Sequence, residues 1–281
     1  MKIGVTGATG QLGRLVVEKL KQKVAAERIV ALVRTPEKAA ELGVEAREFD
    51  YNKPESLVTS LQGIDKLLLI SANELGQRLS QHTAVIEAAN QAGVKQIFYT
   101  SILHADSSPL SLAAEHLATE AVLKASGLTF TIMRNGWYTE NYIGSAKGAI
   151  AAGAFIGCAG EGKISSAARA DFAEAAAVLL AGAGHEGKIY ELAGDEAYTL
   201  TDLAAEISRQ SGKTIPYNNL TETQYADILK SFGLPAGLAE MLADSDTGAS
   251  KGGLFDDSHV LSTLIGRPTT TLVKVLSESL A

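Results

Sequence analysis

Two periodicities alternate along the first half of the chain. Runs that are apolar at most positions recur at 2–6, 29–33, 44–49, 64–70, 96–100 and 128–133. Between them, segments 12–23, 54–61, 77–92 and 111–125 repeat apolar residues at three- and four-residue spacing, the pattern of helices with one buried face. Strand-length runs separated by such helices predict βαβ units and a parallel sheet. Leu67-Leu68-Leu69-Ile70 shows no polar alternation, as expected of a strand covered on both faces.

From about residue 143 the pattern changes. Gly and Ala dominate through Gly162, a helix is predicted over 170–180, and 188–192 reads as a strand. Thr201 reads as a helix N-cap, and Thr221-x-x-Gln224 as a capping box for a helix that stops at Phe232-Gly233. Residues 245–253, with Gly248, Gly252 and Gly253, look flexible and read as a lid or an ordinary loop. The expected organisation is a first domain over 1–142, to which some later segments return, and a smaller substrate-side domain over 143–281.

The first βα junction carries the most specific chemistry. Gly7-Ala8-Thr9-Gly10-Gln11-Leu12-Gly13 follows the strand at 2–6 and opens the helix, in the spacing G-x-x-G-x-x-G. Gly7 suits a tight reversal, Gly10 a close approach of backbone to phosphate, and Gly13 close helix packing. The free N–H groups and positive dipole of the helix start then face an anion. The spacing differs from the commoner G-x-G-x-x-G, and glycine turns are also purely structural, but strand before and helix after favour a dinucleotide site. The fold class expected is therefore α/β, a Rossmann-like doubly wound parallel sheet with a smaller C-terminal α/β lobe.

Such sheets bind ligands beyond the carboxyl ends of their strands. Where NAD-binding proteins often place an acidic residue after the second strand, this chain has Arg34, which suits the 2′-phosphate of NADP or is an exposed turn arginine. Asp50-Tyr51 meets the adenine or ends the third strand. Ser71, Ala72 and Asn73 end the fourth strand and Thr100-Ser101 the fifth; they line the ribose and nicotinamide portions or form turns. His104 positions a substrate, shuttles a proton or is a polar surface residue, whereas His82 and His116 fall in helical patterns and read as structural or solvated. After the sixth strand, 134–142 holds Gly136, the only tryptophan, Trp137, and Tyr138, Asn141 and Tyr142, either a site for a flat substrate or an aromatic packing cluster.

The Tyr-x-x-x-Lys pair with which short-chain dehydrogenases protonate an alkoxide is absent: none of the eight tyrosines has a lysine four residues on. A quinone makes less demand for a protein acid, because the anion formed by hydride delivery is delocalised and takes its proton from water. Catalytic residues therefore stay unassigned, and acceleration would come from holding a flat acceptor at reactive distance.

At 281 residues the chain can bury a full core, with 46% hydrophobic and 20% charged residues as in an ordinary globule. A net charge of −7 argues against nucleic acid or an anionic membrane as partner. The single cysteine, Cys158, precludes an internal disulfide and reads as a small packing residue in a reducing cytosol. No stretch reads as a signal peptide, membrane span, flavin motif or metal cluster, so a cytoplasmic protein is expected, with a homo-oligomer left open.

VTGATGQLG, Arg34, LLLIS, YTSILHAD and RNGWYTENY together resemble the NmrA-like branch of the atypical short-chain dehydrogenase/reductase superfamily. More closely, they are similar to the bacterial type 2 NAD(P)H:quinone oxidoreductases, a likeness that extends through ADSDTGASKGGLFDDS and LIGRPTTTL. The resemblance implies NADPH as cofactor and two-electron reduction of quinones to hydroquinones without flavin; with no metal cluster in the sequence, no metal is expected either. It maps cofactor contacts onto Gly7, Ala8, Thr9, Gly10, Gln11, Leu12, Arg34, Ser71, Ala72, Asn73, Gly136, Trp137 and Tyr138, and it makes the missing Tyr/Lys pair expected. On this reading Tyr138, Asn141 and His104 are the substrate-binding residues. The rival readings are an NADP(H)-binding redox sensor without catalysis and a reductase or epimerase of another substrate.

Overall fold

The computed structural model describes residues 1–74 and 76–281. In chain order it contains β1 (Ile3–Thr6), α1 (Gln11–Lys21), β2 (Ile29–Val33), β3 (Glu45–Glu48), α2 (Pro54–Ser60), β4 (Lys66–Leu69), α3 (Arg78–Gln91) and β5 (Gln96–Ile102). Then follow α4 (Ala113–Ala125), β6 (Thr129–Asn135), α5 (Thr139–Ile143), α6 (Ala146–Ala152), β7 (Phe155–Gly157), α7 (Arg169–Ala181) and β8 (Lys188–Leu192). The last elements are α8 (Leu200–Ser211), β9 (Tyr217–Asn219), α9 (Glu222–Ser231), α10 (Ala236–Ser250), α11 (Val260–Ile265) and α12 (Leu272–Leu280).

Contacts divide the chain into two compact units. The first comprises Met1–Ile102, Glu115–Asn135 and Arg169–Tyr190; the second comprises Leu103–Ala114, Gly136–Ala168 and Glu191–Ala281.

The sheet runs in the order β3-β2-β1-β4-β5-β6-β8, and β1 to β6 pair in parallel throughout. This is the doubly wound α/β sheet that the alternating pattern predicts. Its order reverses at β1, where Val5 lies opposite Ala31 on one side and Leu68 on the other. The central strands are buried along their length because helices cover both faces, whereas edge strand β3 shows exposed glutamates at its ends. On one face Leu32, Leu67, Leu69, Ile97 and Tyr99 pack with Leu57 and Leu61 near α2 and Val85 and Ile86 on α3. Burying each large aliphatic side chain contributes about 1.5–3 kcal/mol. Elsewhere in this unit, Lys19 on α1 pairs with Glu174 on α7 at 3.0 Å, and the Lys66 ammonium donates to the carbonyls of Leu180 and Gly182 at the end of α7.

In the second unit β7 and β9 form a two-stranded parallel sheet. The α8 cap is Thr199, not Thr201: the Thr199 hydroxyl accepts from the Asp202 amide, and the Asp202 carboxylate accepts from the Thr199 amide. Thr201 is already inside the first turn, because the box needs its acidic partner three residues on. The predicted box at Thr221 and Gln224 is present and opens α9. Residues 245–253 are neither lid nor loop at their start: Ser245 to Ser250 complete α10, with Ser245, Asp246, Gly248 and Ala249 buried. Gly248 is there for packing, since a Cβ would lie 2.6 Å from Leu110 Cδ1.

Candidate active site

The reversal of strand order between β1 and β4 leaves a cavity of about 440 Å³ at the carboxyl ends of the strands in the first unit. It is lined by Gly7, Thr9 and Gly10 after β1, by Val33, Arg34, Thr35 and Lys38 after β2, and by Phe49, Asp50, Tyr51 and Asn52 after β3. Ile70, Ser71, Ala72, Asn73 and Glu74 follow β4, and Gln81 reaches in from α3.

The glycine turn has the predicted backbone. Gly7 adopts a left-handed φ of +58°, and the Gly10 amide donates to its carbonyl at 2.8 Å. A Cβ on Gly13 would lie 2.3 Å from Gly7 O, so the third glycine packs the helix against the turn itself. Gly10 is the N-cap of α1 and supplies no side-chain acceptor, nor does an acidic residue stand in the first turn. The helix therefore presents its amides and positive dipole end to an anion.

The rim beyond β2 is cationic. Arg34 and Lys38 are both exposed, and neither has an ion-pair partner among the described residues. Lys38 is the cation that sequence reasoning missed; it lies on the short 3-10 turn Pro36–Leu42, four residues after Arg34.

The loop after β4 is held from behind. The Ser71 amide donates to Thr100 Oγ1 at 2.9 Å, so Thr100 supports the loop instead of lining the cavity. The Ala72 amide donates to His82 Nε2 at 3.0 Å, and Arg78 Nε donates to the Ala72 carbonyl at 2.9 Å. Accepting at Nε2 places the His82 proton on Nδ1, which lies 3.1 Å from Thr119 Oγ1. Burial and then the neighbouring Arg78 push the His82 pKa down to about 3, so the ring stays a neutral acceptor. Arg78 is in turn held by Glu115 at 2.9 Å. In the cavity wall, the Tyr51 hydroxyl donates to the Ile70 carbonyl at 2.9 Å; burial keeps it protonated.

Seven expected cofactor residues, Gly7, Thr9, Gly10, Arg34, Ser71, Ala72 and Asn73, thus line one cavity. Ala8 and Leu12 are buried in the core and Gln11 is exposed at the first position of α1; none of the three lines the cavity. Ser101 does not line it either, since its hydroxyl donates to Glu120 at 2.7 Å.

Gly136, Trp137, Tyr138, Asn141 and His104 belong to the second unit. The Gly136 amide donates to the Leu192 carbonyl at 2.7 Å, Trp137 is buried, Tyr138 is half-buried and Asn141 is exposed. The Tyr142 hydroxyl donates to Asp246 at 2.9 Å, and the Cys158 amide donates to the other oxygen of that carboxylate at 2.9 Å. Cys158 is buried, its thiol donates to the Ala243 carbonyl at 3.3 Å, and burial followed by Asp246 pushes its pKa up to about 12, which suits a packing residue. His104 has a left-handed φ of 51°; its amide donates to Glu191 at 2.8 Å and its Nε2 lies 3.3 Å from Asp256.

The family model described as NAD(P)H-binding matches residues 7–183, well over half of the chain. The chain belongs to this NAD(P)H-binding family. Quinone oxidoreductase 2 of Escherichia coli (strain K12) is 60% identical over 279 residues, 98% of each chain. The crystal structure of the NADPH-dependent quinone oxidoreductase from Escherichia coli, complexed with NADPH, superposes with a TM-score of 0.97 at 59% identity, covering 99% of this chain and 100% of that one. An NmrA-like family domain-containing oxidoreductase of Aspergillus flavus is 30% identical over 81% of this chain and 77% of its own length. The Citrobacter sp. triphenylmethane reductase complexed with NADP(H) is 38% identical, with a TM-score of 0.94, over 99% of this chain and 100% of that one. The likeness to quinone oxidoreductase 2 extends over nearly the full length of the chain, and that to the NmrA-like oxidoreductase over about four-fifths of it. No helix among the described residues is long and apolar enough to cross a membrane.

Proposed function

We propose that this protein is an NADPH-dependent quinone oxidoreductase that works in the cytoplasm. The observation that carries the reading is the 60% identity, over 98% of both chains, to the Escherichia coli quinone oxidoreductase. The first unit's cavity fits the cofactor on its own evidence: a glycine turn with left-handed φ, an uncapped helix start and two unpaired cations. Gly7, Thr9 and Gly10 would hold the diphosphate, Arg34 and Lys38 the 2′-phosphate, and residues 71–73 the portion toward the nicotinamide.

When bound, NADPH supplies a hydride which, with one proton, converts a quinone to a hydroquinone; no flavin is needed in this scheme. The chain's part is to position and to exclude alternatives. His82 and Arg78 fix both backbone groups of Ala72, which sets the cofactor loop. Tyr138 and Asn141 place the flat acceptor, and His104 remains a candidate for orienting it. With no Tyr-x-x-x-Lys pair, water is the proton source, as a delocalised phenolate-type anion allows.

The test is NADPH oxidation stimulated by 1,4-benzoquinone or a naphthoquinone. Turnover that is lost in Gly10→Asp, whose carboxylate would repel the diphosphate, is the expected result. Tight NADPH binding with no quinone-dependent turnover would instead make the protein a sensor.

A further inference from the structure

The segment after β6 that carries the proposed quinone contacts is too short to hold itself. α5 (Thr139–Ile143) is five residues long, and a helix of that length is unstable alone. Its direction is set by what its side chains grip. Residues three apart share a face of a helix, and the segment uses this spacing twice. Thr139 and Tyr142 are 1% and 6% exposed, whereas Tyr138 is half-buried and Asn141 is exposed.

Both inward residues end on buried polar groups of the second unit. Thr139 Oγ1 lies 2.8 Å from Ser166 Oγ, which lies 2.6 Å from the Tyr198 hydroxyl, and the Thr139 amide donates to the Ala167 carbonyl at 2.9 Å. These contacts hold the start of α5. Its far end, beyond Asn141, is held by the Tyr142 hydroxyl, which donates to Asp246 Oδ1 on α10 at 2.9 Å. That carboxylate is itself fixed. Its other oxygen, Oδ2, accepts from the Cys158 amide at 2.9 Å, and a Cβ on Gly157 would lie 2.7 Å from Oδ2, so the end of β7 closes directly against it. Asp246 is buried, and it bears on a quinone only through the helix it holds.

We infer that Asp246 is a positioning residue for the quinone: through Tyr142 it sets the direction in which α5 presents Asn141 and Tyr138. This deepens the proposed function and rests on its placing of the quinone at those two residues. A flat acceptor reacts only when it lies at hydride-transfer distance, and a small misplacement of the groups that hold it is costly. Loss of the anchor should therefore cost quinone turnover and spare cofactor binding.

The experiment measures kcat/KM for 1,4-benzoquinone at saturating NADPH, and NADPH affinity by direct titration without quinone, in the full chain. Tyr142→Phe and Asp246→Ala should each lower kcat/KM for the quinone about three- to tenfold, the effect of one lost buried hydrogen bond, and leave NADPH affinity within about twofold. Asp246→Asn should keep kcat/KM within about twofold of wild type, because its carboxamide accepts from the Cys158 amide and donates to the Tyr142 hydroxyl oxygen. Ser208→Ala removes a hydroxyl that accepts from the Ile215 amide elsewhere in the second unit, and it should change neither quantity. Wild-type turnover in Tyr142→Phe, an Asp246→Asn variant as impaired as Asp246→Ala, an equal loss of NADPH affinity, or the same loss in Ser208→Ala would overturn the inference. Should Asp246→Ala not fold, Tyr142→Phe against Asp246→Asn decides. Asn141→Ala separates the anchor from the site it serves. If it lowers quinone kcat/KM while Tyr142→Phe does not, the anchor alone falls; if it leaves kcat/KM unchanged, the placing of the quinone falls and the inference with it.

Discussion

Glu120 in the first unit and Asp246 in the second are both withdrawn from water, at 0% and 3% exposure, yet their surroundings are opposite. Glu120 accepts from Arg134 on both oxygens, at 2.9 and 2.8 Å, and also from Lys124 and Ser101. Burial pushes its carboxyl up, but Arg134, Ser101 and Lys124 outweigh that and hold it below the usual value. Among the described residues Asp246 meets only neutral donors, the Tyr142 hydroxyl and the Cys158 amide. Burial therefore prevails and raises its pKa to about 6. A buried carboxylate is stable as an anion when a cation shares its site, and two good hydrogen bonds from neutral groups do not replace that cation. The first unit thus holds a fixed charge network behind its sheet, and the second holds a group that titrates close to neutrality.

The sharpest way to break this contrast is Arg134→Met. It leaves Glu120 buried with half of its compensation, and removing one partner of a buried pair costs about 3–5 kcal/mol. Chemical denaturation checks it; a loss under about 1 kcal/mol would mean that Lys124 and Ser101 suffice.

Asp246 should respond to pH instead. Its folded pKa lies above the unfolded value of about 3.9, so it binds its proton more tightly when folded. Its favourable contribution is complete below about pH 4 and is lost as pH rises toward and past about 6, a change of about 3 kcal/mol. Asp246→Asn should flatten the stability profile in that window, whereas a profile that keeps its slope would place the titration elsewhere.

The unpaired cations of the cavity complete the comparison with the paired ones behind the sheet. Arg34→Ala should weaken NADPH by about 1.5–3 kcal/mol, the range for a hydrogen bond to a charged group, and leave NADH nearly unchanged. Calorimetry of both cofactors reads this, and equal weakening would remove the 2′-phosphate role. Lys38→Ala is expected to be smallest, about 0.2–1 kcal/mol for an exposed ion pair, and to fade as salt is raised.

Much of this was legible in the chain. Apolar runs and helical spacing gave each of the first six strands to within a few residues, and the glycine turn pointed to the cavity's anion end. The regions misread have separate causes. Residues 245–250 are helical although rich in Ser, Asp, Thr and Gly, because burial against Leu110 and the Asp246 contacts override weak local propensity. Thr201 lost the cap to Thr199 because the acidic partner at Asp202 sets the register. Gln81, in a helix of ordinary composition, carried no local signal of the cavity.

By itself the sequence determined the order of strands and helices and the phosphate-binding turn, since these depend on periodicity and on φ angles that neighbouring residues dictate. Only the tertiary structure decided which polar groups share a cavity and which are buried behind it. Among the described residues Arg34 and Lys38 have no ion-pair partner while Arg134 is clasped by Glu120, because partners for charges come from segments distant in the chain, which no local pattern encodes.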